Sequence, residues 1–111
     1  MNRTKKPERS FQAGLIRELK KRFDGCFITK LDAAHNQGVP DLLILYGPKW
    51  ATLECKRSSK ARHRPNQDYY VNRMNEMSFS RFIFPENKEE VLSDLEQAFR
   101  SGGKSCLPGS K

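Results

Sequence analysis

The sequence predicts an α/β fold in which helices pack on the faces of one sheet. Three observations carry this expectation. Phe11, Leu15, Ile16, Leu19 and Phe23 fall at helical spacing and form one apolar stripe. Runs rich in β-branched, aromatic and aliphatic residues follow at 26–31, 41–46 and 50–56. A second helical stripe, a fourth strand-like run and a third helical stripe complete the chain. The predicted order is helix, three strands, helix, strand, helix.

The first helix is expected over 8–23. Pro7 suits its first turn, where a missing N–H costs nothing, and Asp24-Gly25 ends it. On a 100° helical wheel Glu8 falls inside the apolar stripe and Glu18 at its edge. An acid facing the core is unusual, although a negative charge near a helix N-terminus is favourable in any case. The first strand is expected over 26–31, followed by a loop over 32–39 marked by Asn36, Gln37 and Gly38. Pro40 precedes a second strand over 41–46, whose continuous apolar character predicts burial on both faces. A turn at Gly47-Pro48-Lys49 makes the third strand, 50–56, its antiparallel hairpin partner. Residues 57–66 form a basic connection without large apolar residues. Pro65 is placed in the first turn of a second helix running to Met77, with Tyr70, Val71, Met74 and Met77 as its stripe. A fourth strand over 80–84 stops at Pro85, and a third helix over 88–100 carries Val91, Leu92, Leu95, Ala98 and Phe99. One domain over 1–100 and a flexible tail over 101–111 account for the chain of 111 residues.

The formal net charge is +8 and the sequence pI is about 9.7. Such a surface favours a polyanionic partner, nucleic acid first, because neutralising phosphates releases counterions. A solubility charge is the plainer explanation. The longest apolar run, 42–46, is too short to cross a bilayer, and no signal-peptide pattern is present, so no membrane partner is expected and the expected location is cytoplasmic. Cys26, Cys55 and Cys106 are odd in number and contain no CxxC pair, which argues against a disulfide framework or a zinc knuckle. Cys26 and Cys55 read as small core residues.

The chemistry concentrates in Gly38-Val39-Pro40-Asp41-Leu42-Leu43-Ile44-Leu45 and in Leu53-Glu54-Cys55-Lys56. Strand side chains alternate between faces, so Trp50, Thr52, Glu54 and Lys56 share one face and Ala51, Leu53 and Cys55 the other. The hairpin returns that face to Asp41. Two carboxylates near one point make a hard oxygen site suited to Mg²⁺ or Mn²⁺, with the Cys55 carbonyl as a further donor. Lys56 is placed to orient an attacking water or to stabilise developing negative charge. A salt bridge at the end of a sheet would also explain the three residues, although an exposed pair contributes little stability. Arg57, Lys60, Arg62, His63 and Arg64 follow directly, as a phosphate clamp or as a solvated loop. Neither His35 nor His63 has a partner at metal-ligand spacing, and Trp50, Tyr69 and Tyr70 read first as core residues.

These segments resemble a known family. Gly38-Val39-Pro40-Asp41 followed by Glu54-Cys55-Lys56 is similar to the PD-(D/E)XK nuclease signature, and the element order over 8–84 resembles that superfamily's core. The segments 38–45 and 53–67 most resemble its VRR-NUC branch, and phage Holliday junction resolvases look similar. The resemblance implies a restriction-endonuclease-like αβββαβ core with a mixed four-stranded sheet, plus a C-terminal helix. It implies Asp41, Glu54 and Lys56 as catalytic residues, with Asp41, Glu54 and the Cys55 carbonyl on the metal. Gln67 matches the family's glutamine on the following helix, and Glu8, or failing it Glu18, the first-helix glutamate that completes the site. The implied activity is a Mg²⁺-dependent DNA endonuclease acting on branched DNA. A homodimer is implied too, since paired cuts on a two-fold structure need two active sites. If phage-encoded, the protein works in the host cytosol. The alternatives are a sequence-specific or flap-type nuclease of the same chemistry, and a non-catalytic basic nucleic-acid-binding accessory protein.

Overall fold

The structure, a computed structural model, describes residues 7–101. Its elements are α1 (Pro7–Arg22), β1 (Phe27–Lys30), β2 (Leu42–Tyr46), β3 (Lys49–Cys55), α2 (Gln67–Met77), β4 (Ser80–Ile83) and α3 (Lys88–Arg100). The expected order is therefore found, in an α/β arrangement of three helices and a mixed sheet. The sheet runs β1-β2-β3-β4, with antiparallel pairing from β1 to β3 and parallel pairing between β3 and β4. A parallel neighbour requires a crossover, and the segment containing α2 supplies it. The tail expected over 101–111 lies, apart from Ser101, outside the described residues, as does Cys106.

The sheet separates two layers of different chemistry. One face carries Leu42, Ile44, Ala51, Leu53, Cys55 and Ile83, buried against Leu15, Leu19 and Phe23 of the α1 side and Val91, Leu92, Leu95 and Phe99 of α3. Each fully buried leucine contributes about 1.5–3 kcal/mol relative to exposure. Phe23 meets the rings of Tyr46 and Phe99 edge-on, at centroid distances of 5.5 and 5.2 Å. The other face is covered by α2 over β3 and β4, where Thr52 Oγ1 donates to Ser80 Oγ at 2.8 Å. The continuous apolar run of β2 is not buried throughout: Leu45 and its partner Phe27 stay exposed on the α2 side, because α2 lies over the far strands.

Several boundaries move for local reasons. The helix α1 ends as expected, with Gly25 in the left-handed region at φ 89 and the Cys26 N–H bonded to the Phe23 carbonyl. That turn shortens β1 to four residues. The hairpin turn is Gly47-Pro48 alone, with Gly47 at φ 62 and Tyr46 paired to Lys49. A positive φ at the first turn position matches the twist of the flanking strands, so Lys49 joins β3. Its ammonium donates to the carbonyls of Phe99 and Ser101, covering the C-terminal end of α3. The strand β4 stops at Ile83 because the Phe84 N–H turns to the Asn87 side chain at 2.9 Å. The largest shift concerns α2, which begins at Gln67 rather than in a turn containing Pro65. Asn66 stands at φ 71, outside the helical region, and this sets where Gln67 points.

Candidate active site

The β2–β3 register places Leu42 opposite Leu53. One step further, where β2 begins and β3 ends, Asp41 falls opposite Glu54. Asp41 is half-buried, and its Oδ2 accepts the Cys55 N–H at 2.9 Å. Glu54 is 2% exposed. Its Oε2 accepts from Gln67 Nε2 at 2.8 Å. Its Oε1 is the one buried side-chain oxygen or nitrogen, among the described residues, without a hydrogen-bond partner.

Burial, then the neighbouring Asp41 charge, pushes the Glu54 carboxyl up to about 8, with Lys56 acting against the shift and Glu8 adding to it. Asp41 is also raised by burial, with the Cys55 N–H and Lys56 opposing. Two carboxyls in this setting cannot both hold a charge cheaply unless a proton or a cation supplies the missing positive charge.

Lys56 is 4% exposed, and its ammonium does not pair with either acid. Among the described residues no carboxylate lies within ion-pair distance of it. Nζ donates to Gln67 Oε1 at 2.7 Å and to the Arg62 carbonyl at 2.9 Å. The amide of Gln67 therefore stands between Lys56 and Glu54. Its orientation follows from chemistry: an ammonium only donates, so the amide oxygen must face Lys56 and the amide nitrogen Glu54. The Arg64 N–H reaches the same oxygen at 2.8 Å. Glu54 and Lys56 share a face as expected but are joined through Gln67 rather than directly, so the salt-bridge explanation of the three residues does not hold. Lys56 retains a third N–H for a further acceptor.

The relay depends on a close backbone approach. Gly38 sits at φ 98, and a Cβ there would lie 2.6 Å from Asn66 Cβ, 2.8 Å from Asn66 C and 2.9 Å from the Pro65 oxygen. The β1–β2 loop thus presses on the turn that starts α2.

The other candidates divide. A cavity of about 810 Å³ opens over the end of the sheet. Asp41, Glu54, Lys56 and Gln67 line it, as do Glu8, Arg57, Arg62, His63 and Arg64. Lys60 and His35 are exposed and do not line it. Glu18 faces α3 instead, with Oε1 at 2.9 Å from Lys88 Nζ and Oε2 at 3.2 Å from Arg22. Cys55 turns its thiol into the core, where burial keeps it protonated, so any ligand atom from this residue is its backbone carbonyl. Tyr69 is exposed rather than core, and packs edge-on against Tyr70. Trp50 and Tyr70 are half-buried.

No three or more His, Cys, Asp or Glu side chains among the described residues form a group that could hold a metal ion. Glu8 shares the cavity without closing on the two acids of the sheet. The residues present still fit a hard divalent cation. Mg²⁺ is commonly held by one or two carboxylates and keeps several waters, and Asp41 and Glu54 offer oxygen donors, one of them without a hydrogen bond. Sequence reasoning missed the contact of Gly38 with Asn66 and the setting of His63 between Phe82 and Asp68. A glycine directly before Val-Pro-Asp was the available signal for the first, and the second had none.

No family model, curated protein or solved structure matches the chain. No described helix is long and apolar enough to cross a membrane.

Proposed function

We propose that this protein is a Mg²⁺- or Mn²⁺-dependent DNA endonuclease that hydrolyses phosphodiester bonds on a restriction-endonuclease-like αβββαβ core. The observation that carries the reading is Glu54: buried, opposite Asp41, with one oxygen unpartnered and the other wired through Gln67 to Lys56. A structural ion pair would leave no oxygen orphaned beside a second acid. Asp41 and Glu54, with the Cys55 carbonyl, would hold the cation. Bound there, it would acidify a water and polarise the phosphoryl group. Gln67 fixes the Glu54 carboxylate and the Lys56 ammonium in one frame, so neither reorients as charge develops. Lys56 lines the cavity, and its remaining N–H would donate to the attacking water or to a phosphoryl oxygen. Arg57, Arg62 and Arg64 line the cavity and suit the flanking phosphates. The resemblance to junction-resolving nucleases favours branched DNA and a homodimer.

The test is cleavage of labelled four-way junction, flap, duplex and single-stranded DNA with Mg²⁺. Glu54→Ala and Lys56→Ala should abolish cleavage and largely keep binding. Equal activity in wild type and both variants would defeat the assignment. Wild-type binding without cleavage of any substrate would return the chain to a basic nucleic-acid-binding module. Duplex cut as readily as junction would remove the branched-DNA specificity and leave the chemistry.

A further inference from the structure

The cavity contains a histidine that the metal-and-lysine chemistry leaves unused. His63 lies flat on Phe82, with ring centroids 4.1 Å apart and planes 18° apart. Phe82 is the register partner of Glu54 in the parallel β3–β4 pair, so the two side chains project from the same face of neighbouring strands. The imidazole thus covers the residue beside Glu54. Its Nδ1 lies 2.8 Å from Asp68 Oδ1. Asp68 follows Gln67 in the first turn of α2, so one helix start orients both the Glu54–Lys56 relay and the histidine. The ring is 38% exposed and lines the cavity. Among the described residues its Nε2 has no hydrogen-bond partner.

We propose that His63 is the general acid of the cleavage reaction, delivering a proton from Nε2 to the leaving oxygen, with Asp68 as its positioning residue. This rests on the nuclease reading. The chemistry follows from the two ring nitrogens. An ionised carboxylate only accepts, so Asp68 keeps the hydrogen on Nδ1. The proton that can be passed on is then the one on Nε2. Asp68 of α2 bonds the ring, and the other charged groups lining the same cavity are Glu8 of α1, Asp41 before β2, Glu54 and Lys56 at the end of β3, and Arg57, Arg62 and Arg64 of the loop that carries His63. The stacked residue of β4 is uncharged.

In the reaction, water attacks phosphorus and forms a new P–O bond, losing a proton to solvent. The P–O bond to the leaving sugar oxygen breaks, and that oxygen takes its electron pair and the Nε2 proton. The products are a phosphate monoester and an alcohol, and neutral His63 regains its proton from solvent. A sugar alkoxide is a poor leaving group, so a positioned acid contributes on the order of 10²–10⁴-fold.

The experiment compares two four-way junctions with Mg²⁺. One is all-oxygen. The other carries a bridging sulfur at the 3′ or the 5′ side of the cut bond, because a thiolate leaves without a proton. His63→Gln should lower the turnover of the all-oxygen substrate about 10²-fold or more, with the Kd for DNA changed only a few-fold. The same variant should cleave the correctly placed sulfur substrate within a few-fold of wild type. The wild-type rate should fall on the alkaline side of the pH profile, and that limb should vanish in the variant. Asp68→Asn should lower turnover about tenfold, and Asp68→Glu should restore part of the loss. These variants keep Gln67 intact, and an unchanged melting temperature in Asp68→Asn separates positioning from folding. An equal loss on both substrates would overturn the proposal, as would His63→Gln and Asp68→Asn cleaving like wild type. Wild type cleaving neither substrate would overturn the nuclease reading itself.

Discussion

Gly38→Ala changes no polar atom of the site, yet it should disturb the site more than most surface substitutions. Gly38 stands at φ 98, and an L-residue in the left-handed region costs about 1–2 kcal/mol. The added Cβ would also lie 2.8 Å from the Asn66 backbone carbon and 2.9 Å from the Pro65 oxygen. Neither atom can swing away as a flexible side-chain end would, and overpacking of this kind costs about 1–3 kcal/mol. The two effects sum to about 2–5 kcal/mol. Gly25 separates them, since it has φ 89 and nothing within 4 Å of its virtual Cβ. Gly25→Ala should therefore cost only about 1–2 kcal/mol. Urea unfolding of wild type and both variants, with unchanged m-values, reads the difference directly. Gly38→Ala should also lose cleavage, because Asn66 is the residue that delivers Gln67 to Glu54 and Lys56. Equal destabilisation of the two variants, or a fully active Gly38→Ala protein, would refute the claim that this contact braces the site.

Three further predictions follow from the same geometry. Folded Glu54 holds its proton up to about 8, whereas the ordinary value is 4.5, so its contribution to metal-free stability is fully present below 4.5 and is lost as pH rises through 8. Thermal melts without metal should show this decline, Glu54→Gln should flatten it, and added Mg²⁺ should stabilise wild type more at pH 8 than at pH 6. Glu18 behaves oppositely: its hydrogen bond from Lys88 lowers its pKa, so its contribution is present above 4.5 and lost as pH falls below that value. Glu18→Gln should cost about 0.5–1 kcal/mol at neutral pH, and urea unfolding at pH 3 should find the difference gone. Gln67→Leu would leave Glu54 Oε2, Lys56 Nζ and the Arg64 N–H each short of a partner, which predicts a loss of about 2–5 kcal/mol. Gln67→Leu with wild-type stability would show that water can replace the amide.

What the sequence disclosed about this site follows from short-range rules. The pleat alone places Glu54 and Lys56 on one face and Leu53 and Cys55 in the core, and a hairpin turn returns the chain to Asp41, although at Gly47-Pro48 rather than at the expected Gly47-Pro48-Lys49. Helical spacing placed Glu8 on the inward side of α1, where it lines the cavity. The partners of Lys56 were not legible in the same way. They depend on the left-handed Asn66, on the absence of a side chain at Gly38, and on a loop folded back until the Arg62 carbonyl reaches the ammonium. No periodicity encodes that. The start of α2 was misread for a related reason. Proline is compatible with a first helical turn, but it is equally compatible with the turn that precedes one.

The relay through Gln67 also bears on why an ammonium is buried here at all. Lys56 in direct contact with Glu54 would neutralise it and remove the need for a cation. Separated by an amide, the lysine is satisfied by two oxygens while Glu54 keeps one oxygen with no partner. The positive charge is near enough to lower the cost of ionising Glu54 but does not occupy its free oxygen. Gln67 thus does two things with one side chain: it satisfies a buried donor, and it keeps the acid available. A glutamate at 67 would satisfy Lys56 equally well, yet it would lose the donor to Glu54 and set a third carboxylate beside two. The amide is the side chain at this position that satisfies the lysine without adding to the repulsion between the acids.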